Sequence, residues 1–385
     1  MWIYFLILTS LVIAAFMTGK NREYAFLFFL LFAFLYILRA RVGTDYTVYT
    51  YYYSLMNSTK DLTIGGFELF YNLLALFFHS SHLPYQMMTI TISTFIICMF
   101  YKTVRNLNFE LGITTLLALY FIFYPTIEIL RQGIAVILFF YSLPYVINET
   151  SYKNSKWKFF LINLIGFLFH RTALTAFIFY FFKKNRSVKI LITVFFFCFT
   201  IAQPIVNLVL QKFPQFYSRY QYYTWLKSSI QSKGSLGSIK LMEYLISFCI
   251  LLNMYLNNLS RPLFGKKRIK LVMVKFKYFY KDENVNNKSK ALSIDYLNQI
   301  DHVALNLVEL GLLIQLFVSP ILGAAYRLLY YCDLGILLFY TTIFYRINNK
   351  NVKTLYLIFL VIYLCIRFSR VFPFHNEMFT YHFLY

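Results

Sequence analysis

The sequence is short of charge and shortest of acid: 14% of its 385 residues are charged, with 15 Asp or Glu against 37 Lys or Arg. An ordinary soluble domain is excluded, because 59% of the chain is hydrophobic and 22% aromatic, and stretches such as 190–210 and 352–366 are apolar all round. Missing too are a Walker loop, a GxGxxG turn opening a helix, an HExxH pair, a serine elbow and a carboxylate cluster for a divalent ion. No metal and no cofactor is therefore expected, and chemistry on a phosphate-bearing substrate would use arginines in place of a metal. The five cysteines, Cys98, Cys198, Cys249, Cys332 and Cys365, lie inside apolar stretches without metal spacing or a disulfide framework, and read as packing residues.

What is present is a succession of apolar segments of membrane-spanning length, the pattern of an all-α polytopic helical bundle. We expect one integral membrane domain over 1–385 with about 10 to 13 spans, counting broken or re-entrant helices. The basic pair Lys20 and Arg22 follows the first apolar run instead of preceding it, so that run reads as a retained span and not a cleavable signal. The net charge of +22 is spread over short loops, which excludes a nucleic-acid stripe and fits membrane orientation.

Positive-inside counting puts Lys20 and Arg22, Lys102 and Arg105, Lys153 to Lys158, Lys183 to Lys189, Arg261 to Lys290 and Arg346 to Lys353 in the cytoplasm. Both chain ends then lie outside, with outer loops at 39–84 and 211–237. The basic loop at 258–300 reads as a cytoplasmic segment that touches anionic headgroups. Two stretches suit a turn inside the membrane: 159–182, breaking near His170, and 112–147, interrupted by Pro125. Alternatively each is a simple span and one basic loop departs from the rule.

Ionisable residues set into these apolar stretches carry the candidate chemistry, since each costs at least ~2.5–3.5 kcal/mol at bilayer depth. They are Glu128 with Arg131, His170 with Arg171, Glu309, Arg327, and Arg367 with Arg370. Arg39 and Arg41 add outer cations, which suit phosphate recognition or, for Arg41, a pair with Asp45. Arg131 follows Glu128 by one helical turn, so a structural ion pair is the plain alternative there. His170 suits general base work but also plain helix contact, and snorkelling to the interface is the plain reading of Arg367 and Arg370.

The runs Arg41-Val42-Gly43-Thr44-Asp45-Tyr46 with Tyr49, Arg131-Gln132-Gly133-Ile134-Ala135, Phe169-His170-Arg171-Thr172-Ala173-Leu174 and Tyr326-Arg327-Leu328-Leu329-Tyr330-Tyr331 occur in that order. Together they resemble the EpsG family of exopolysaccharide proteins, which is similar to the Wzy polymerases of O-antigen and capsule. Arg171 departs from it, standing where a small or polar residue is common, and so does the long basic loop.

The resemblance implies a GT-C-like membrane glycosyltransferase of the bacterial cytoplasmic membrane. It would move a glycan from undecaprenyl diphosphate onto the non-reducing end of a new lipid-linked repeat unit at the outer face. A chain-length copolymerase and a flippase are the implied partners. On this reading Arg131, Arg327 and Arg41 hold the diphosphate, and His170, then Asp45, then Glu128 are candidates for the base. Tyr46, Tyr330 and Tyr331 would face sugar. Rival functions are a lipid-linked oligosaccharide flippase, which would show a repeat and a polar path to both sides, and an O-antigen ligase, whose loss would leave long polymer on its carrier.

Overall fold

The structure, a computed structural model, describes residues 2–17, 22–43, 45–58, 62, 66–149, 152–184, 186–201, 212, 236–263, 294–318, 326–371 and 382–383. Nearly all of the loop expected at 211–237 and most of the basic loop at 258–300 lie outside these. The protein is mostly helical, and its chain divides into two compact units, Met1–Leu174 with Ile343–Tyr385, and Thr175–Thr342.

The first unit runs through α1 (Trp2–Met17), α2 (Arg22–Ile37), strand β1 (Arg39–Ala40), α3 (Tyr46–Ser54), α4 (Leu69–Ser80), α5 (Tyr85–Asn106), α6 (Leu111–Ala118), α7 (Tyr124–Glu128), α8 (Leu130–Ile147) and α9 (Ser155–Phe169). The second carries α10 (Leu174–Lys184), α11 (Arg186–Ile201), α12 (Leu236–Leu263), α13 (Ile294–Leu313) and most of α14 (Tyr326–Arg346). The chain returns to the first unit with α15 (Lys350–Val371) and strand β2 (His382–Phe383). Among the described residues, four helices are long and apolar enough to cross a membrane: Tyr85–Asn106, Leu130–Ile147, Ile294–Val318 and Arg327–Arg346.

Helix α5 shows how such a span is written. Met88, Ile92, Ile96, Phe100 and Val104 recur every fourth residue and all are buried, so one stripe packs inward. On the exposed side Thr91 and Thr94 donate to the carbonyls of Met87 and Ile90 at 2.9 and 2.8 Å. Their hydroxyls are thereby satisfied within the helix, as an apolar surrounding demands. Of the cysteines, Cys332 is buried, but Cys98, Cys249 and Cys365 are exposed, so those three do not pack the core as expected.

The first unit has two chemically distinct ends. At one, Arg22 reaches Glu110 at 3.3 Å, and the Glu110 amide donates to the Tyr345 hydroxyl. Lys102 and Lys158 lie 5.3 and 5.6 Å over the rings of Tyr141 and Tyr145, near the end of α8. Four of the basic loops assigned to the cytoplasm thus flank this end. The other end holds Tyr85, the start of α8, and β1, which pairs antiparallel with β2 in the register Arg39 to Phe383 and Ala40 to His382. The strand His382–Phe383 therefore lies beside Arg39.

Candidate functional site

The helical path into the site is broken twice. A π-helical turn, Leu119–Phe123, precedes α7, and at Ile129 the backbone leaves the helix (φ −129, ψ 82) before α8 begins. The interruption expected at Pro125 falls four residues later, because a proline in the first turn of a helix forfeits no hydrogen bond. The return of the chain is tight. A Cβ on Gly133 would stand 2.7 Å from the Thr126 side chain, which explains the glycine of the Arg-Gln-Gly run. Thr126 is itself pinned, its hydroxyl 2.5 Å from Tyr36 Oη and donating to the Phe123 carbonyl at 2.7 Å.

The second break falls at His170, as expected: α9 stops, His170 is extended (φ −159, ψ 126), and a 3-10 turn, Arg171–Ala173, leads into α10. His170 Nδ1 accepts the Thr172 amide at 3.3 Å and lies 2.7 Å from Thr172 Oγ1. The imidazole is buried and caps its own turn, with Nδ1 as the acceptor. A Cβ on Gly166 would stand 3.6 Å from both Ala135 and Ala173, an ordinary van der Waals contact, so the hairpin would admit a methyl there.

One side chain bridges the two breaks. Glu68, the residue before α4, pairs through Oε2 with Arg131 Nη1 and accepts the Arg171 amide on Oε1 at 3.2 Å. Arg171 Nε approaches the same oxygen at 4.0 Å, but that side chain is otherwise exposed. The Arg131 and Glu68 side chains are only 11% and 10% exposed, so removing either partner alone would cost ~3–5 kcal/mol. Aromatic rings wall the guanidinium, Phe67 at 4.0 Å and Tyr49 and Tyr71 at 5.5 and 5.7 Å. Arg131 Nε donates to the Tyr49 hydroxyl at 3.4 Å, which in turn donates to Asp45 Oδ2 at 3.4 Å. Arg131, Asp45 and the His170 turn thus share one network, whose centre, Glu68, was not singled out from the sequence. Its one sequence signal is a carboxylate at the mouth of the apolar stretch 67–78.

The turn after α2 explains the Gly43-Thr44-Asp45-Tyr46 run. Gly43 has φ 111, which a side chain would oppose, and the Tyr46 amide donates to its carbonyl at 3.3 Å. Thr44 lies outside the described residues. Arg41 is also left-handed (φ 54) and exposed, and among the described residues it forms no ion pair, so the expected contact with Asp45 is not made. Arg39 is the buried arginine here, 3% exposed. Tyr46 Oη reaches Gln86 Oε1 at 3.4 Å, and its ring meets Tyr85 edge-on at 5.4 Å. A recess with a cavity volume of about 10 Å³ is lined by Arg39, Val42, Tyr46, Tyr49, Tyr85 and Leu130 among others. Nearby, burial pushes the Tyr53 phenol up, and it donates to the Leu83 carbonyl at 2.6 Å.

In the second unit, Arg327 lies in the first turn of α14 and is half-buried, while Tyr330 is 7% exposed and Tyr331 fully buried. Asp333, one turn on, accepts Lys240 Nζ at 2.9 Å and the Tyr244 hydroxyl at 2.6 Å. Lys240 also lies 5.2 Å over the Tyr330 ring. Glu309 pairs with Lys189 at 2.5 Å, a lysine of a loop expected to be cytoplasmic. Each unit therefore holds a substantially buried ion pair of its own.

The remaining candidates fall apart from these groups. The partner of Arg131 is Glu68, not the Glu128 expected as the plain alternative; Glu128 closes α7, and its side chain lies outside the described residues. Arg367 does not snorkel: it is 2% exposed, with its guanidinium 4.2 Å over Tyr120 in the π-helical turn. The Arg370 side chain lies outside the described residues.

No curated protein and no solved structure matches this chain. The model of the EpsG family, a family of Wzy-like polymerases, does match, over residues 23–383. Those residues hold both backbone breaks, the Glu68 bridge and the Arg327 helix, and the chain belongs to the EpsG family.

Proposed function

We propose that the protein is a GT-C-like membrane glycosyltransferase that polymerises lipid-linked oligosaccharide. The growing glycan would leave undecaprenyl diphosphate for the non-reducing end of a new repeat unit at the outer face of the bacterial cytoplasmic membrane. Family membership supports a polysaccharide polymerase-type function. The observation that carries the site is the Glu68 bridge, which joins the Arg131 break to the His170 break at the end of the first unit away from the basic loops. A helical membrane protein tolerates two interrupted helices at one level only where the freed backbone is satisfied by protein or lines a cavity.

In the reaction, the acceptor sugar hydroxyl attacks the anomeric carbon as the bond from that carbon to the diphosphate oxygen breaks. Undecaprenyl diphosphate leaves with the bonding electrons, and the hydroxyl proton passes to a base. His170 is the preferred base: its Nδ1 accepts the Thr172 amide, so the neutral ring holds its hydrogen on Nε2 and would take the proton at Nδ1 as that contact opens. Asp45 and Glu128 follow it in that order. Arg131 and Arg327, with Arg41 in support, stabilise the charge that grows on the leaving diphosphate. Tyr46 and Tyr330 offer ring faces and hydroxyls to sugar, and Tyr331, fully enclosed, would reach it only if α14 shifts. A copolymerase and a flippase remain the proposed partners.

The test is reconstitution: purified protein in detergent, given lipid-linked repeat units, should build a ladder of glycan lengths, with and without a chelator. Arg131→Ala and Arg327→Ala, expressed at normal level, should shorten or abolish it. Full ladders from both variants would remove these arginines from the mechanism.

A further inference from the structure

Arg131 and Arg39 lie at one end of the first unit, and their charges are handled differently. Arg131 has a carboxylate, Glu68, in direct contact. Arg39, 3% exposed, has none: among the described residues no Asp or Glu pairs with it. Its Nη1 donates to the Tyr36 carbonyl and, at 3.0 Å, to Ser93 Oγ, and its guanidinium stacks 4.0 Å over the Tyr36 ring. These contacts anchor one edge of the fork and supply no counter-charge among the described residues. A buried cation in that condition is costly unless an anion joins it.

The same side chain lines the recess, which makes the charge reachable. Tyr46, Tyr49 and Tyr85 line it too, their hydroxyls engaged with Gln86, Asp45 and Tyr71, as does Leu130, which opens α8. The start of an 18-residue helix adds the positive end of its dipole to the same recess. Cation and helix start therefore border a space that has no carboxylate among its lining residues. Tyr49 also receives Arg131 Nε, so the recess is one side chain away from the Glu68 bridge.

We infer that Arg39 is an oxyanion-binding residue, and that the recess it lines takes an anionic group of the substrate next to the Arg131 network. The inference rests on the polymerase reading for the substrate but not for the site. Two sources share this chemistry, a phosphoryl group of the polyprenyl diphosphate and the carboxylate of an acidic sugar.

The experiment uses the full chain in detergent micelles and two probes, a polyprenyl diphosphate without sugar and a glucuronate-containing oligosaccharide, with binding read by calorimetry. Arg39→Gln should weaken one probe about 10- to 100-fold, the loss of a charged hydrogen-bond donor, and Arg39→Lys should recover part of it. Which probe responds identifies the source. A folded Arg39→Gln protein that binds both probes within twofold of wild type overturns the inference. If that variant does not fold, phenylglyoxal labelling of wild type decides: Arg39 modification slowed by a bound probe supports the site, and unchanged labelling overturns it. A wild-type ladder alongside unaltered Arg39→Gln binding would sink this inference alone. Absence of a ladder with Arg39-dependent binding intact would sink the polymerase reading and leave the oxyanion site.

Discussion

Arg131 with Glu68 and Lys240 with Asp333 are both buried ion pairs, one in each unit, yet their surroundings differ. The first joins two places where a helix stops, at Ile129 and His170, and is walled by three aromatic rings. The second links α12 to α14, helices unbroken at those positions, with Tyr244 closing the remaining carboxylate oxygen. A pair between continuous helices needs only to hold them together. A pair at broken backbone fixes groups that can turn toward a substrate, so we propose the first as part of a site and the second as a brace.

The comparison can be broken by removing one partner and then both. Asp333→Leu alone should strand the Lys240 ammonium and cost ~3–5 kcal/mol, visible as a large drop in melting temperature in detergent. The double variant Lys240→Met/Asp333→Leu should recover most of that stability and keep ladder synthesis. Arg131→Gln should lower synthesis by roughly a hundredfold or more, the cost of losing one donor to developing charge. Adding Glu68→Gln should restore stability without restoring synthesis. Recovery of the ladder by that second double variant would make Arg131 a brace as well.

Smaller effects sharpen the contrast. Gly133→Ala should cost ~1–3 kcal/mol, because its methyl meets Thr126 at 2.7 Å and α7 must move away from α8. Synthesis per folded molecule should fall with it, since the same turn carries Arg131. At the bottom of the scale, Arg41→Ala should shift stability by no more than ~0.5 kcal/mol, as an exposed side chain without an ion pair. A loss of synthesis in that variant at unchanged melting temperature would confirm Arg41 as a support for the diphosphate.

The second break lay where the sequence pointed, because His170 interrupts an otherwise apolar stretch; the first was displaced from Pro125 to Ile129, since proline is tolerated in a first turn. Glu68 was not legible: its partner is 63 residues away in the chain, and no spacing rule connects them. The same distance argument explains why Arg39 and Arg41, alike in sequence, part company. A left-handed residue at Arg41 turns that side chain out, while Arg39 folds back over Tyr36.

By itself the sequence determined the class of the protein, the alternation of basic loops with apolar spans, and the family to which it belongs. Those properties are local or summed along the chain, and burial in a membrane reads them directly from composition. Tertiary structure alone decided which charges are matched among the described residues, because a counter-ion is chosen by distance in space and not by distance along the chain.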